Sequence, residues 1–133
     1  QIDILNFQKD NYDHLSFYNN IDIALDTFPY NGVTTTFESI LMGVPVLTIK
    51  GFNFNSRCGE SINKNLNLEN FIAKNHDDYY LKALDLHKDI NYLKSLRKEL
   101  RNKAFSSPLF DNKNFAKIFS EEIKTIWENF IKG

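Results

Sequence analysis

The sequence predicts an α/β fold in which a short parallel sheet is followed by a helical tail. Three short runs rich in isoleucine, leucine and valine, at 2–7, 21–25 and 44–49, alternate with helical spacings, the pattern of a doubly wound parallel sheet. Beyond Gly51 the apolar residues recur three and four apart, the period of amphipathic helices.

Taken in order, run 2–7 has few charges and reads as a buried strand. Residues 11–18 have helical spacing, with Tyr12, Leu15 and Tyr18 on one face, and 21–25 reads as a second strand that completes a β-α-β unit. Pro29, Asn31 and Gly32 mark a turn, and the threonines that follow are suited to cap a helix running to about Met42. Gly43 ends that helix, 44–49 forms the third strand, and Gly51 closes it. Helices are expected over 56–66, 77–86, 90–103 and 112–131, with Pro108 separating the last two. The final helix carries Phe115, Ile118, Phe119, Ile123, Trp127 and Phe130, a face that needs cover either from the domain's own core or from a further domain. The chain thus reads as one partial domain, 1–133, with a β/α part over 1–51 and a helical part over 52–133.

At 133 residues, 42% of them hydrophobic, the chain can build one core and has no room for two ordinary domains. Its 16 basic and 17 acidic residues are spread along the chain, which argues against nucleic acid or an anionic membrane as partner. No apolar run approaches the roughly 20 residues that cross a bilayer, and the amino end lacks the features of a signal peptide. The start at Gln1, without methionine, suggests a cut from a longer protein. The lone Cys58 excludes an internal disulfide and a cysteine-rich metal site, which fits a reducing compartment, so cytoplasm is the expected location.

The stretch from Asp26 to Ser39 places a glycine, three threonines and a carboxylate at a strand-to-helix junction. Free N–H groups of a first helical turn, the positive end of the helix dipole and nearby hydroxyls satisfy phosphate oxygens without a lysine. Glu38 lies one turn beyond Thr34 and Thr35, where its carboxylate can accept hydrogen bonds from a ribose diol. The same residues also fit a purely structural capping box between Thr35 and Glu38. Location narrows the gap between the two readings, because parallel sheets bind ligands beyond the carboxyl ends of their strands. Asp26 is read as ordering the loop rather than pairing with Glu38 in acid–base work, and no catalytic base is assigned. Histidines on helices are ordinarily surface or satisfied core residues, and His76 and His87 are read so. Cys58 is read as a small buried apolar residue.

The run Leu25-Asp-Thr-Phe-Pro-Tyr-Asn-Gly-Val-Thr-Thr-Thr-Phe-Glu-Ser-Ile-Leu-Met-Gly-Val-Pro45 resembles the donor-site signature of the O-GlcNAc transferase and SPINDLY family of glycosyltransferases. The likeness continues in order through Thr48-Ile-Lys-Gly51, Ser56-Arg57, Tyr92-Leu93, Leu96-Arg97, Ser106-Ser-Pro-Leu-Phe110 and Trp127, covering nearly the whole chain. It implies the carboxyl-terminal part of a Rossmann-like lobe in a two-lobed, B-type glycosyltransferase that binds the donor nucleotide. By position it implies diphosphate contacts from Thr34 and Thr35, ribose contacts from Glu38, a base contact from His14, and a loop shaped by Asn31 and Gly32. It further implies a protein acceptor, an amino-terminal lobe and a tetratricopeptide array elsewhere in the protein, and no cofactor or metal.

Val33, Phe17 and Asn11 stand where animal members of that family carry a histidine, an arginine and a lysine. Tyr30, the run of three threonines, Glu38 and Met42 are closer to the SPINDLY branch, whose plant members use GDP-fucose. The expected reaction is transfer of GlcNAc from UDP-GlcNAc to a protein hydroxyl. Transfer of fucose from GDP-fucose, transfer to a lipid or glycan acceptor, and a non-catalytic nucleotide-binding or protein-interaction module are the alternatives. A fragment carrying only this half is expected to be inactive alone.

Overall fold

The computed structural model describes Ile4 and residues 10–133. Among them, strands β1 (Ala24–Leu25), β2 (Val46–Ile49) and β3 (Ile72–Ala73) form a parallel sheet in the order β1-β2-β3. Ala24 lies opposite Val46 and Leu25 opposite Leu47, while Thr48 lies opposite Ile72 and Ile49 opposite Ala73. The helices are α1 (Asn11–Ser16), α2 (Thr34–Leu41), α3 (Cys58–Asn65), α4 (His76–Lys88), α5 (Ile90–Phe105) and α6 (Asn112–Lys132). Short 3₁₀ turns at Phe17–Asn20, Glu69–Phe71 and Pro108–Phe110 link them.

The run 2–7 lies outside the described residues. Run 21–25 pairs only through its last two residues, because the Ile21 N–H bonds to Tyr18 O at 3.3 Å and closes a 3₁₀ turn. β2 is buried along its whole length, since it has a strand on either side. The reading of 52–133 as wholly helical is corrected: Ile72–Ala73 adds a strand to β2, and the Lys50 N–H bonds to Ala73 O at 2.8 Å. A two-residue strand shows no periodicity, so the open side of β2 selects it rather than any local pattern.

One apolar cluster joins the layers. Leu47 of β2, Ile40 of α2, Ile62 of α3 and Leu66 just after it, Phe71, and Leu93, Leu96 and Leu100 of α5 all belong to it. α5 packs across α2, and the approach is close where the two meet. Gly43, which ends α2 with a φ of 81°, lies where an added Cβ would come within 2.7 Å of Arg97 O. Any side chain there is both strained and obstructed. α6 differs from the other long helices. Its apolar residues, among them Phe115, Ile118, Phe119, Ile123, Trp127 and Phe130, are all exposed, so the domain's own core does not cover that face.

Arg97 of α5 reaches back along the chain. Its guanidinium donates to Ile21 O at 2.7 Å and to Tyr18 O at 2.6 Å, clamping the turn between α1 and β1. These are charge-assisted bonds from a planar fork, and lysine cannot reproduce both. Arg97→Ala is expected to destabilise the fold by about 1.5–3 kcal/mol, measured by urea denaturation, with Arg97→Lys recovering less than half of the loss. Equal stability of all three proteins would show that the clamp contributes nothing.

Candidate functional site

The chain leaves the carboxyl end of β1 into a loop, 26–33, that delivers it to α2. The Asp26 carboxylate organises this loop. Its Oδ1 accepts the N–H of Thr27 at 3.0 Å and of Gly32 at 2.8 Å, and its Oδ2 accepts the Thr48 hydroxyl from β2 at 2.7 Å. A Cβ on Gly32 would collide with the Thr35 hydroxyl, so a side chain there would displace one of the hydroxyls at the start of α2. Asn31, 1% exposed, donates through Nδ2 to Thr27 O at 3.0 Å and accepts the Gly59 N–H through Oδ1 at 3.3 Å. Its own N–H bonds to Asn55 O at 3.1 Å, which joins this loop to the one that follows β2.

The threonines do not cap α2, contrary to the sequence expectation. Val33 is the N-cap residue and, among the described residues, no capping side chain accepts from the first-turn N–H groups, so the capping box between Thr35 and Glu38 is not formed. The hydroxyl of Thr36 instead donates to Gly32 O at 2.9 Å, one turn back, which holds the junction from inside. Thr34 and Thr35 occupy the first helical positions with exposed side chains. The helix start therefore combines outward N–H groups, the positive end of the dipole and two exposed hydroxyls.

Glu38 reaches toward α1. Its Oε2 lies 3.2 Å from His14 Nε2, with the two side chains 32% and 49% exposed, so the pair is open to a ligand. His14 and Glu38 are 24 residues apart in sequence and meet only because the α1 turn folds over α2. Tyr18 completes this side. Its hydroxyl approaches Thr35 O at 3.5 Å, its ring meets His14 edge-on, and burial together with the Glu38 charge raises its phenol above the ordinary value. Tyr18 lines a cavity of about 180 Å³ with Asp26, Gly32, Thr35, Thr36 and Ser39. Sequence reading placed Tyr18 on a helix face without a role; its contacts to Thr35 and His14 depend on packing alone.

The structure thus brings His14 against Glu38 and sets Thr34 and Thr35 one turn before Glu38 on the same helix, with Asn31 and Gly32 in the loop that leads there. His76 meets the Phe28 ring edge-on at 5.3 Å between centroids, and His87 is exposed. Cys58 is only half-buried, because it opens α3 and its thiol faces Phe54 O at 3.3 Å. Among the described residues no cluster of three or more His, Cys, Asp or Glu side chains could hold a metal ion, and no helix is long and apolar enough to cross a membrane.

A family model described as glycosyl transferase family 41 matches residues 9–119. The chain belongs to glycosyl transferase family 41. Within it, a Solanum lycopersicum protein named probable UDP-N-acetylglucosamine–peptide N-acetylglucosaminyltransferase SPINDLY is 38% identical over 133 residues, all of this chain and 14% of that protein. A Caenorhabditis elegans UDP-N-acetylglucosamine–peptide N-acetylglucosaminyltransferase is 28% identical over 112 residues, 84% of this chain and 10% of that protein. A solved structure of a mutant Thermobaculum terrenum O-GlcNAc transferase superposes with a TM-score of 0.81 at 33% identity, covering 90% of this chain and 23% of that one. This family 41 chain accordingly spans only a small part of the relatives it matches.

Tyr79 of α4 supports the loop from behind, donating its hydroxyl to Asp26 O at 3.0 Å. Burial, and then the Asp26 charge, push its phenol from the ordinary 10.0 up to about 12. A raised folded-state value means that Tyr79 contributes stability below the unfolded value, which is lost as pH rises from 10 through about 12. Between those pH values the protein is expected to lose denaturation free energy that Tyr79→Phe does not lose. Parallel pH profiles for the two proteins would sink this assignment.

Proposed function

We propose that this chain supplies the donor-nucleotide half of a nucleotide-sugar glycosyltransferase, and that the whole protein transfers a sugar to a protein Ser or Thr hydroxyl. The observation that carries this reading is the start of α2. An uncapped first turn with exposed Thr34 and Thr35 lies beyond the carboxyl end of β1, and the Glu38–His14 pair stands one turn on. In this reading diphosphate oxygens accept from the first-turn N–H groups and the two hydroxyls, and Asn31 and Gly32 keep the approach open. Both carboxylate oxygens of Glu38 are acceptors, so it can bind a ribose diol while keeping His14, whose imidazole stacks on the base.

Negative charge builds on the diphosphate as the glycosidic bond breaks. Donors already fixed by Asp26 and the helix meet that charge without reorganising, which lowers the barrier. The reading gives this work to N–H and hydroxyl groups without a metal or cofactor, and assigns no catalytic base to the chain. Because relatives in tomato and Caenorhabditis elegans are named as UDP-N-acetylglucosamine–peptide transferases, UDP-GlcNAc is the proposed donor and a protein the acceptor. An amino-terminal lobe and a tetratricopeptide array belong, on this reading, to the rest of a cytoplasmic protein.

In full-length protein, Glu38→Ala is expected to weaken UDP binding by about 1.5–3 kcal/mol in calorimetric titration while the melting temperature holds. Unchanged affinity would remove Glu38 from the site. UDP-GlcNAc hydrolysis is expected to exceed that of GDP-fucose measured side by side. The reverse preference would change the donor and leave the reaction class intact.

A further inference from the structure

A second cavity, of about 710 Å³, opens beside the start of α2 where loop 51–57 passes from β2 to α3. Val33, Phe37, Ile62 and Leu109 give it apolar walls, and Phe52 and Phe54 stand at its mouth, 78% and 84% exposed. Their loop is tightly held. The Gly51 N–H bonds to Ser56 O at 2.9 Å, and the N–H groups of Phe52 and Asn53 reach the buried Ser56 hydroxyl at 3.0 and 3.1 Å. In return the Ser56 N–H bonds to Asn53 Oδ1 at 3.0 Å. Two phenyl rings presented to water on a rigid loop form a ready contact surface, because its ordering entropy is already lost in folding.

The remaining wall is charged. Glu60, 3% exposed, receives Arg57 Nε at 2.9 Å and Lys64 Nζ at 2.8 Å, with Lys50 Nζ at 3.6 Å. Burial pushes the Glu60 carboxyl up, but the bonds from Lys64 and Arg57 and the charges of Arg57 and Lys50 outweigh it and hold it below the ordinary value. Arg57 and Lys64 against one carboxylate leave an excess of positive charge in the cavity wall, and Lys50 adds to it from outside the lining. Arg57 bonds Glu60 through Nε, so its terminal N–H donors are oriented in advance for a second carboxylate.

We infer that this cavity docks the acceptor polypeptide, taking a bulky apolar side chain between Phe52 and Phe54 and an adjacent Asp or Glu against Arg57 and Lys64. The inference rests on the donor-half reading above, since Val33 both lines the cavity and stands at the N-cap position of α2, which puts a docked segment next to the proposed diphosphate position. Charge complementarity selects the occupant: an acidic–apolar segment is attracted and a lysine-bearing one repelled.

The test uses full-length protein and two fluorescein-labelled synthetic peptides of about twelve residues around one serine, identical except for Glu-Phe or Lys-Phe beside it. By fluorescence anisotropy the Glu-Phe peptide is expected to bind about tenfold more tightly than the Lys-Phe peptide, and the Phe52→Ala/Phe54→Ala protein to lose about tenfold for it. UDP affinity and melting temperature should hold in that variant. Equal binding of the two peptides, or unchanged binding by the variant, would overturn the inference. So would a large fall in the variant's melting temperature, because the rim would then be covered by another part of the protein. Failure of UDP to bind the unmodified protein, with the peptide results as expected, would sink the donor reading and leave the docking surface standing.

Discussion

The Asp26 carboxylate accepts hydrogen bonds from the backbone of Thr27 and Gly32 and from the hydroxyl of Thr48, and the geometry of the candidate site depends on these three bonds. Two of them curl the chain as it leaves β1, and the third ties the curl to the central strand. An amide in place of the carboxylate keeps the two N–H bonds only with its NH2 group toward Thr48, whose hydroxyl would then accept instead of donate. Around this point Tyr79 holds the Asp26 carbonyl and Asn31 bridges to α3 and to the loop after β2. The first turn of α2 is thereby fixed in direction without a capping side chain of its own. A helix start left uncapped yet rigidly aimed is suited to an external acceptor, because no internal group has to be displaced.

Three carboxylates near this end of the sheet divide the work by environment. Asp26 is consumed by the loop, and Glu60 is buried at 3% exposure among Arg57, Lys64 and Lys50. Glu38 alone of the three faces a partly solvated histidine at 3.2 Å, an interaction that solvent weakens and a ligand can share. Burial and partner count, rather than residue type, separate the structural acids from the one available for binding.

The helical layer positions what the sheet does not. α5 contributes Leu93, Leu96 and Leu100 to the core, and from the same helix Arg97 clamps the carbonyls of Tyr18 and Ile21. Packing and placement of the His14 turn are therefore coupled: a shift of α5 moves both. α6 extends from this layer with its aromatic and aliphatic side chains exposed, so its amphipathic pattern is not used by the core described here.

The sequence by itself determined the helices, the central strand and the glycine that ends α2, because periodicity and φ-permissive residues are local properties. Residues 77–86 and 90–103 were legible as helices from spacing alone and lie inside α4 and α5. The loop signal at Pro29, Asn31 and Gly32 was equally legible. What local pattern could not decide was whether the threonines cap α2, whether Ile72–Ala73 pairs, and where Glu38 points. The first depended on Val33 taking the N-cap position and Thr36 bonding back to Gly32. The second depended on an open side of β2, and the third on α1 folding across α2 to bring His14 within 3.2 Å. The last two are contacts between groups that chain order does not bring together, and the first is a choice between two local hydrogen-bonding arrangements that the loop held by Asp26 settles, so tertiary structure decided all three.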